Sequence, residues 1–313
     1  MWNLNQKITS SAVYYRFKEM RHRYTFPRYE HQMALALRRF ERCSDKKPKR
    51  RIAEEIRLIQ SYWNCYPLHY YRYDLYRAEA ESDAERLLSY IPEFFFYYLF
   101  LPHWNNNHAF DCMLNDKATL EKILRSLGIA QPPTLGIVFD SRIYSQEAER
   151  IGVEDIEREI EKTGCARLFV KPVNGRGGKG IFIFQRNADG IFRNDDHERF
   201  DEKFLRAIGK TGHFIIQPGI EQDGEISSIY PNSINSFRIV TDQLDGNASV
   251  LLCILRMGRA GRQVDNVSRN GIFISLDPGT GRLAESARSL DNGVFDKHPD
   301  TGFSFRDVTI SKR

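Results

Sequence analysis

The stretch Leu168-Phe-Val-Lys171-Pro-Val-Asn174-Gly175-Arg176-Gly177-Gly178-Lys179-Gly180-Ile-Phe-Ile-Phe184 constrains this chain more than any other. An apolar run leads into four glycines and two basic residues, and a second apolar run leads out. The pattern predicts a strand, a turn free to adopt backbone conformations that other residues avoid, and a returning strand. Gly175, Gly177 and Gly180 spell GxGxxG, yet a dinucleotide-binding turn must open a helix, and the residues that follow here are apolar and β-branched. A P-loop fails on the same ground, and on Gly180, which stands where a Ser or Thr must reach magnesium. A hairpin remains, and its backbone N–H groups can point at phosphate oxygens. Protein kinases place their phosphate-binding lysine after such a loop, whereas Lys171 precedes it, which points to a different nucleotide clamp. The competing reading is an ordinary glycine-rich hairpin with a surface lysine.

The flanking sequence sets the organisation. From about Ser10 to Leu101 it is rich in helix formers, aromatic residues and paired charges, and Ile52 to Tyr62 repeats apolar residues at helical spacing. The apolar run Ile91 to Leu101 is well short of the roughly 20 residues a spanning helix needs. It is expected to be a buried helix, with attachment to a membrane surface as the alternative. Asp116 is placed to cap a helix running through Leu120, Ile123 and Leu127 to a stop at Gly128. A strand is expected at Leu135 to Phe139, and a helix at Val153 to Lys162 ended by Gly164. Beyond Cys165 strands are expected at Leu168 to Lys171, Ile181 to Phe184, Phe214 to Gln217, Phe237 to Thr241, Ser249 to Arg256 and Gly271 to Leu276. Tight reversals are expected at Asp245-Gly246-Asn247 and at Asp277 to Gly281, with Asp277 initiating its turn. No internal repeat is present. The fold class is therefore expected to be α+β, with a helical first third and a sheet-rich last half.

Composition removes several function classes. With 313 residues, 41% hydrophobic and 28% charged, the chain can bury a sizeable core and is not a disordered one. Its five cysteines are scattered and form no CxxC pair, which excludes a zinc ribbon or a disulfide framework and points to a reducing compartment. Met1 to Ser10 is polar where a signal peptide would be apolar, so a cytoplasmic location is expected. The net charge of +5 owes much to the early arginines and to the run Lys46-Lys47-Pro48-Lys49-Arg50-Arg51. Such a run can attract phosphate backbones, but its proline and short length favour a solvated loop between helices. No nucleic acid partner is expected.

The hairpin and its lysine do not stand alone. Lys117 follows Asn115-Asp116 at the head of a helix, and Phe214-Ile-Ile-Gln217-Pro-Gly-Ile220 follows the hairpin. Together these residues resemble the ATP-grasp superfamily. Four later stretches are similar to its sugar-transfer-associated group, related to α-L-glutamate-ligase-like proteins: Pro231-Asn-Ser-Ile-Asn-Ser-Phe-Arg238, Leu255-Arg256-Met-Gly258, Val264-Asp265-Asn266 with Asn270-Gly271, and Asp296-Lys-His298-Pro299. The likeness covers about Lys117 to Phe305. It implies a helical region, 1–110, followed by a two-subdomain clamp, 111–313. The clamp's parts would be a leading subdomain (111–165), a glycine-loop subdomain (166–225) and a C-terminal subdomain (226–313).

The same resemblance implies the site. Lys117 and Lys171 would be the two lysines that grip ATP, and Asn174, Gly175, Arg176, Gly177, Gly178, Lys179 and Gly180 would cover its phosphates. Gln217 to Ile220 would read the adenine edge, with Gln217 standing where many members have Glu. Arg238 and Arg256, on facing strands, would hold the γ-phosphate or a substrate carboxylate, because a guanidinium meets planar oxyanions with two bonds. Asn266 would reach phosphate or magnesium while Asp265 helps hold the metal. Exposed strand arginines and a turn at Asp265-Asn266 are the alternatives. His298 is expected to fix the His-Pro turn. ATP and Mg2+ are the expected cofactors, for an ATP-dependent carboxylate–amine ligation through an acyl phosphate. The setting would be cell-surface polysaccharide biosynthesis or modification, with an amine or sugar acceptor and a polysaccharide-synthesis protein as partner. The alternative is a non-catalytic ATP-binding or scaffold protein. The family's main magnesium ligands lie on a later Asp-bearing strand and a Glu-x-Asn strand, and Lys312-Arg313 is reached before either. An incomplete C-terminal subdomain is therefore expected: an inactive relative, a clamp completed by a separate chain, or a variant with substitute ligands among Asp265, Asp291 and Asp296.

Overall fold

The structure is a computed structural model that describes residues 20, 27–93, 95–101, 108–175, 178–244 and 246–311. The chain divides into two compact units, Met1–His108 and Ala109–Arg313.

The first unit is helical: α1 (Pro27–Arg42), α2 (Lys49–Trp63), α3 (Leu68–Arg72) and α4 (Ala84–Ser89). Ile52 and Ile59 lie on one stripe of α2 and are buried against Tyr70, Leu75, Tyr76 and Leu87. The basic run is not the solvated loop expected from sequence. Lys49 to Arg51 form the first turn of α2, and Lys47 is buried. Lys47 Nζ donates to both oxygens of Glu55 at 3.1 Å and to the carbonyl of Glu81 at 2.6 Å. Arg51 and the Tyr70 hydroxyl add bonds to Glu55 at 2.9 and 2.6 Å. A buried carboxylate is tolerated here because donors surround it. The run Ile91 to Leu101 is also corrected: Phe95–Phe100 forms a π-helix with Tyr97 and Phe100 exposed. The wider turn brings residues five apart over one another, so Phe95 and Phe100 approach with ring centroids 6.5 Å apart. Among the described residues no helix is long and apolar enough to cross a membrane.

The second unit opens with α5 (Asp111–Asn115) and α6 (Lys117–Ser126). Asp116 caps α6 by accepting from the Thr119 N–H at 2.8 Å, and Gly128 ends it with φ +72°. Then follow β1 (Gly136–Phe139), β2 (Arg142–Tyr144), β3 (Arg150–Ile151), α7 (Val153–Thr163), β4 (Arg167–Pro172), β5 (Phe182–Arg186), β6 (Phe192–Arg193), α8 (Glu202–Gly209) and β7 (Phe214–Pro218). The seven strands form one antiparallel sheet in the order β3-β2-β1-β7-β4-β5-β6. Ile156 and Ile160 of α7 and Phe204, Leu205 and Ile208 of α8 bury the face bearing Val138, Leu168, Val170, Phe184 and Ile216. Strand alternation therefore puts Phe169, Lys171, Ile215 and Gln217 on the face away from those helices.

After α9 (Gly224–Ser227) a second antiparallel sheet contains β8 (Ser236–Leu244), β9 (Asn247–Met257), β10 (Ile272–Ser275), β11 (Ala287–Arg288) and β12 (Val294–Phe295), in the order β12-β11-β10-β9-β8. Gly246, at φ +81°, turns the β8–β9 hairpin; Asp245 of the expected turn lies outside the described residues. Asp277 initiates its turn as expected, its Oδ1 accepting from the Thr280 N–H at 2.6 Å and hydroxyl at 2.7 Å. Leu255, Met257, Ile272, Ile274 and Ala287 share a core with Phe305 and Ile310. The register leaves Arg238, Ile254, Arg256, Phe273 and Arg288 on the opposite face. Helices and antiparallel sheets together make the α+β fold expected.

Candidate nucleotide site

The glycine segment joins β4 to β5 as an antiparallel hairpin, with Val170 opposite Phe182. Gly178 and Gly180 take φ values of +70° and +68°, which glycine adopts at no steric cost. Arg176 and Gly177 lie outside the described residues. Asn174 and Lys179 are exposed, and an open cavity of about 450 Å3 lined by Cys112, Asn115, Asn174 and Gly175 abuts the loop.

The two lysines have different situations. Lys117 directs its ammonium at the carbonyls of Pro172, Val173 and Gly175, at 3.0, 3.1 and 2.9 Å. An ammonium has three hydrogens, so in this arrangement Lys117 holds the loop's base and has none to spare. Lys171 sits partly buried on the sheet face away from the helices and has no hydrogen-bond or ion-pair partner among the described residues. Burial lowers its pKa, the nearby charge of Lys117 lowers it further, and Glu121 opposes both. A partly desolvated, unpaired cation beside a glycine hairpin attracts an anion rich in oxygens.

Glu121 organises the other side of this face. Buried on α6, it accepts from the Thr134 N–H at 3.1 Å and hydroxyl, from Gln146 Nε2 at 2.9 Å, and from Arg125 Nη2 at 2.5 Å. Gln217 Nε2 donates to Glu121 Oε2 at 3.4 Å, to Thr134 Oγ1 at 3.1 Å and to the Pro132 carbonyl at 3.2 Å. The Gln217 side chain thus fixes the strand, leaving the following residues to meet a ligand. Ile220 is exposed, and its N–H has no partner among the described residues.

On the second sheet, Ser236 opposes Arg256 and Arg238 opposes Ile254, so the two arginines are diagonal neighbours on one face. Arg256 donates to Ser236 Oγ through Nη2 at 2.6 Å and Nε at 3.2 Å, and pairs with Asp265 at 3.2 Å. Ser236 in turn donates to Asp265. Arg238 is exposed and unpaired among the described residues. Asn266 meets the glycine loop itself: a Cβ placed on Gly178 would lie 2.7 Å from Asn266 Oδ1. The residues that the sequence assigns to phosphate and to the second sheet are therefore brought together at Gly178.

Ser236 and Arg256 both engage Oδ2 of Asp265, and its Oδ1 has no hydrogen-bond or ion-pair partner among the described residues. Among the described residues no three His, Cys, Asp or Glu side chains stand close enough to hold a metal ion. The residues present thus fit a polyphosphate, and a Mg2+ carried by it would need only one or two protein oxygens, for which Asp265 Oδ1 and the Asn266 amide oxygen would be the candidates. His298 is buried at its turn, with Nε2 2.9 Å from the Gly258 carbonyl and Nδ1 accepting from the Asp300 N–H at 3.3 Å.

Sequence reasoning missed the contacts made by Glu121 and Ser236. Glu121 lies four residues after Lys117 and so on the same helix face. Ser236 lies two before Arg238 and so on the same strand face. Those spacings were the available signals.

Comparison with curated proteins gives no match. The family model described as sugar-transfer associated ATP-grasp matches residues 99–312, more than half of the chain, and the protein belongs to that family.

Proposed function

We propose that the protein grips ATP with its triphosphate between Lys171 and the glycine loop, Asn174 to Gly180, and its adenine edge along Gln217 to Ile220. The parts of the clamp would be residues 111–165, 166–225 and 226–313. The observation that carries this reading is the partly buried ammonium of Lys171 beside the hairpin, which has no hydrogen-bond or ion-pair partner among the described residues. Lys117 keeps the loop's base in place, and the loop's N–H groups can donate to phosphate oxygens. Arg238 and Arg256 hold negative charge on the facing sheet, with Asn266 between them and the loop. Bound ATP supplies the phosphoryl group that converts a carboxylate into an acyl phosphate. The reaction proposed is ligation of that acyl group to an amine or sugar acceptor in cell-surface polysaccharide synthesis.

Calorimetric titration with ATP, with and without Mg2+, tests the reading against Lys171→Ala. A hydrogen bond between charged groups contributes about 1.5–3 kcal/mol, so the variant should bind at least about tenfold more weakly. Equal affinity in the two proteins refutes the assignment. Ser236 and Arg256 hold one of the two Asp265 oxygens, which motivates a second reading, a non-catalytic ATP-binding protein, and binding indifferent to Mg2+ would support it.

A further inference from the structure

Arg256, Phe273 and Arg288 stand directly opposite one another on β9, β10 and β11. Neighbouring strands are about 4.8 Å apart, so roughly 10 Å separates the two arginine backbones, with the half-buried Phe273 between them. All three lie on the face away from the Leu255–Ile272–Ala287 core, the face whose Arg256 is tied to Asp265 beside the glycine loop. Arg288 is exposed and has no hydrogen-bond or ion-pair partner among the described residues. Of the two acids three residues away, Asp291 accepts from Ser289 and lies 3.8 Å from Arg259, and Glu285 makes no ion pair with Arg288. The row thus offers an apolar ring flanked by one anchored guanidinium and one open one.

We infer that this row binds the second substrate, and that this substrate is a saccharide bearing a carboxylate or a phosphate. The inference rests on the ATP reading above, because the same face meets the glycine loop. Phe273 supplies a flat apolar surface for the C–H face of a sugar ring. Arg288 supplies a planar fork for the anionic substituent. Arg256, held by Ser236 and Asp265, fixes the far end of the row, and Arg288 supplies its uncompensated positive charge.

The test titrates the full chain first with ATP, and then, in the presence of ATP, with D-glucuronate, D-glucose 6-phosphate and D-glucose. At least one charged sugar should bind tenfold or more tightly than glucose. Tight binding of glucuronate alone identifies a carboxylate, and of glucose 6-phosphate alone a phosphate. Arg288→Ala should lose that preference, Arg288→Lys should keep part of it, and Phe273→Leu should weaken every sugar that binds. Thermal unfolding of each variant close to the wild type shows that the fold is intact. Equal affinity for charged and uncharged sugars, an Arg288→Ala protein that binds like the wild type, or no sugar bound by a protein that binds ATP overturns the inference. Arg288-dependent sugar binding without ATP binding would keep the inference and remove the nucleotide reading.

Discussion

Replacing Glu121 with Ala should loosen the first sheet at the strand that supports the site. The side chain is 4% exposed and gathers donors from α6, from Thr134, from Gln146 and from β7. Without it, Gln217 keeps Pro132 and Thr134, Gln146 keeps the Thr134 carbonyl, and the 54%-exposed Arg125 returns to water. The Thr134 N–H has no such alternative. Burying it unsatisfied costs about 1–3 kcal/mol, and the lost charge-assisted bond from Gln146 adds about 1–2 kcal/mol. A total near 3 kcal/mol is expected. Tryptophan fluorescence will not see it, because Trp2, Trp63 and Trp104 all precede Ala109. Native-state hydrogen exchange on peptides covering 132–138 and 214–218 is the suitable assay. The pH dependence gives a second reading. Burial pushes the Glu121 pKa up, but the bonds from Thr134 and Gln146 outweigh that, and the net shift is downward. Its stabilisation is therefore complete above the ordinary carboxylate pKa and is lost as pH falls through the folded value. The gap between wild type and variant should narrow in acid. A loss below about 1 kcal/mol at neutral pH, or a gap that widens in acid, would refute the account of Glu121 as the hub.

Two further outcomes follow from local geometry. Both ring nitrogens of His69 are buried without a hydrogen-bond partner among the described residues, and burial pushes its pKa down from 6.5 to about 4. The neutral ring is thus built into the fold, so stability is full above pH 6.5 and declines as pH falls toward 4, by about 3 kcal/mol in all. Unfolding followed at Trp63, in the same unit, should show this slope in the wild type and a flatter one in His69→Leu; parallel curves would remove it. Gly178→Ala places a methyl 2.7 Å from Asn266 Oδ1 at a φ of +70°. The backbone cost alone is about 1–2 kcal/mol, so ATP should bind about five- to thirtyfold more weakly. The double variant with Asn266→Ala should recover the steric part only, and an unchanged affinity in the single variant means the loop does not need this approach.

What was legible in the sequence was local. The hairpin from Leu168 to Phe184, the Asp116 cap and the Gly164 stop each depend on residues within a few positions of one another. The short strands β2, β3, β6, β11 and β12 have two or three residues, too few to show a period. Their existence depends on partners already in place. Helix α8 was missed because its eight residues follow a charged stretch, and its burial shows only against the sheet. Lys47 read as solvated because its acceptors, Glu55 and Glu81, lie 8 and 34 residues away. Lys117 read from sequence as a lysine that grips ATP, and its three carbonyl acceptors 55 to 58 residues on were not legible there. A lone glutamate on an amphipathic helix, Glu121, looks like a solvent residue until Thr134 and Gln217 are brought to it.

The position of β7 bears on how the protein is made. In the first sheet β7 alone joins the three strands β1 to β3 to the three strands β4 to β6, each set contiguous in the chain. A ribosome therefore releases two three-stranded ribbons that share the packing of α7 and α8 but cannot join into one hydrogen-bonded sheet until Phe214 to Pro218 has left the exit tunnel. Those five residues pair with Gly136 to Val138 on one side and with Leu168 to Pro172 on the other, so closing the sheet requires contacts spanning about 80 residues of chain. Until then the strand bearing Lys171 lacks one neighbour. The sheet face that carries Lys171 is thus completed by a segment from a later part of the chain, and damage to that short strand breaks the hydrogen bonding between the two ribbons before it touches Lys171 or the glycine loop.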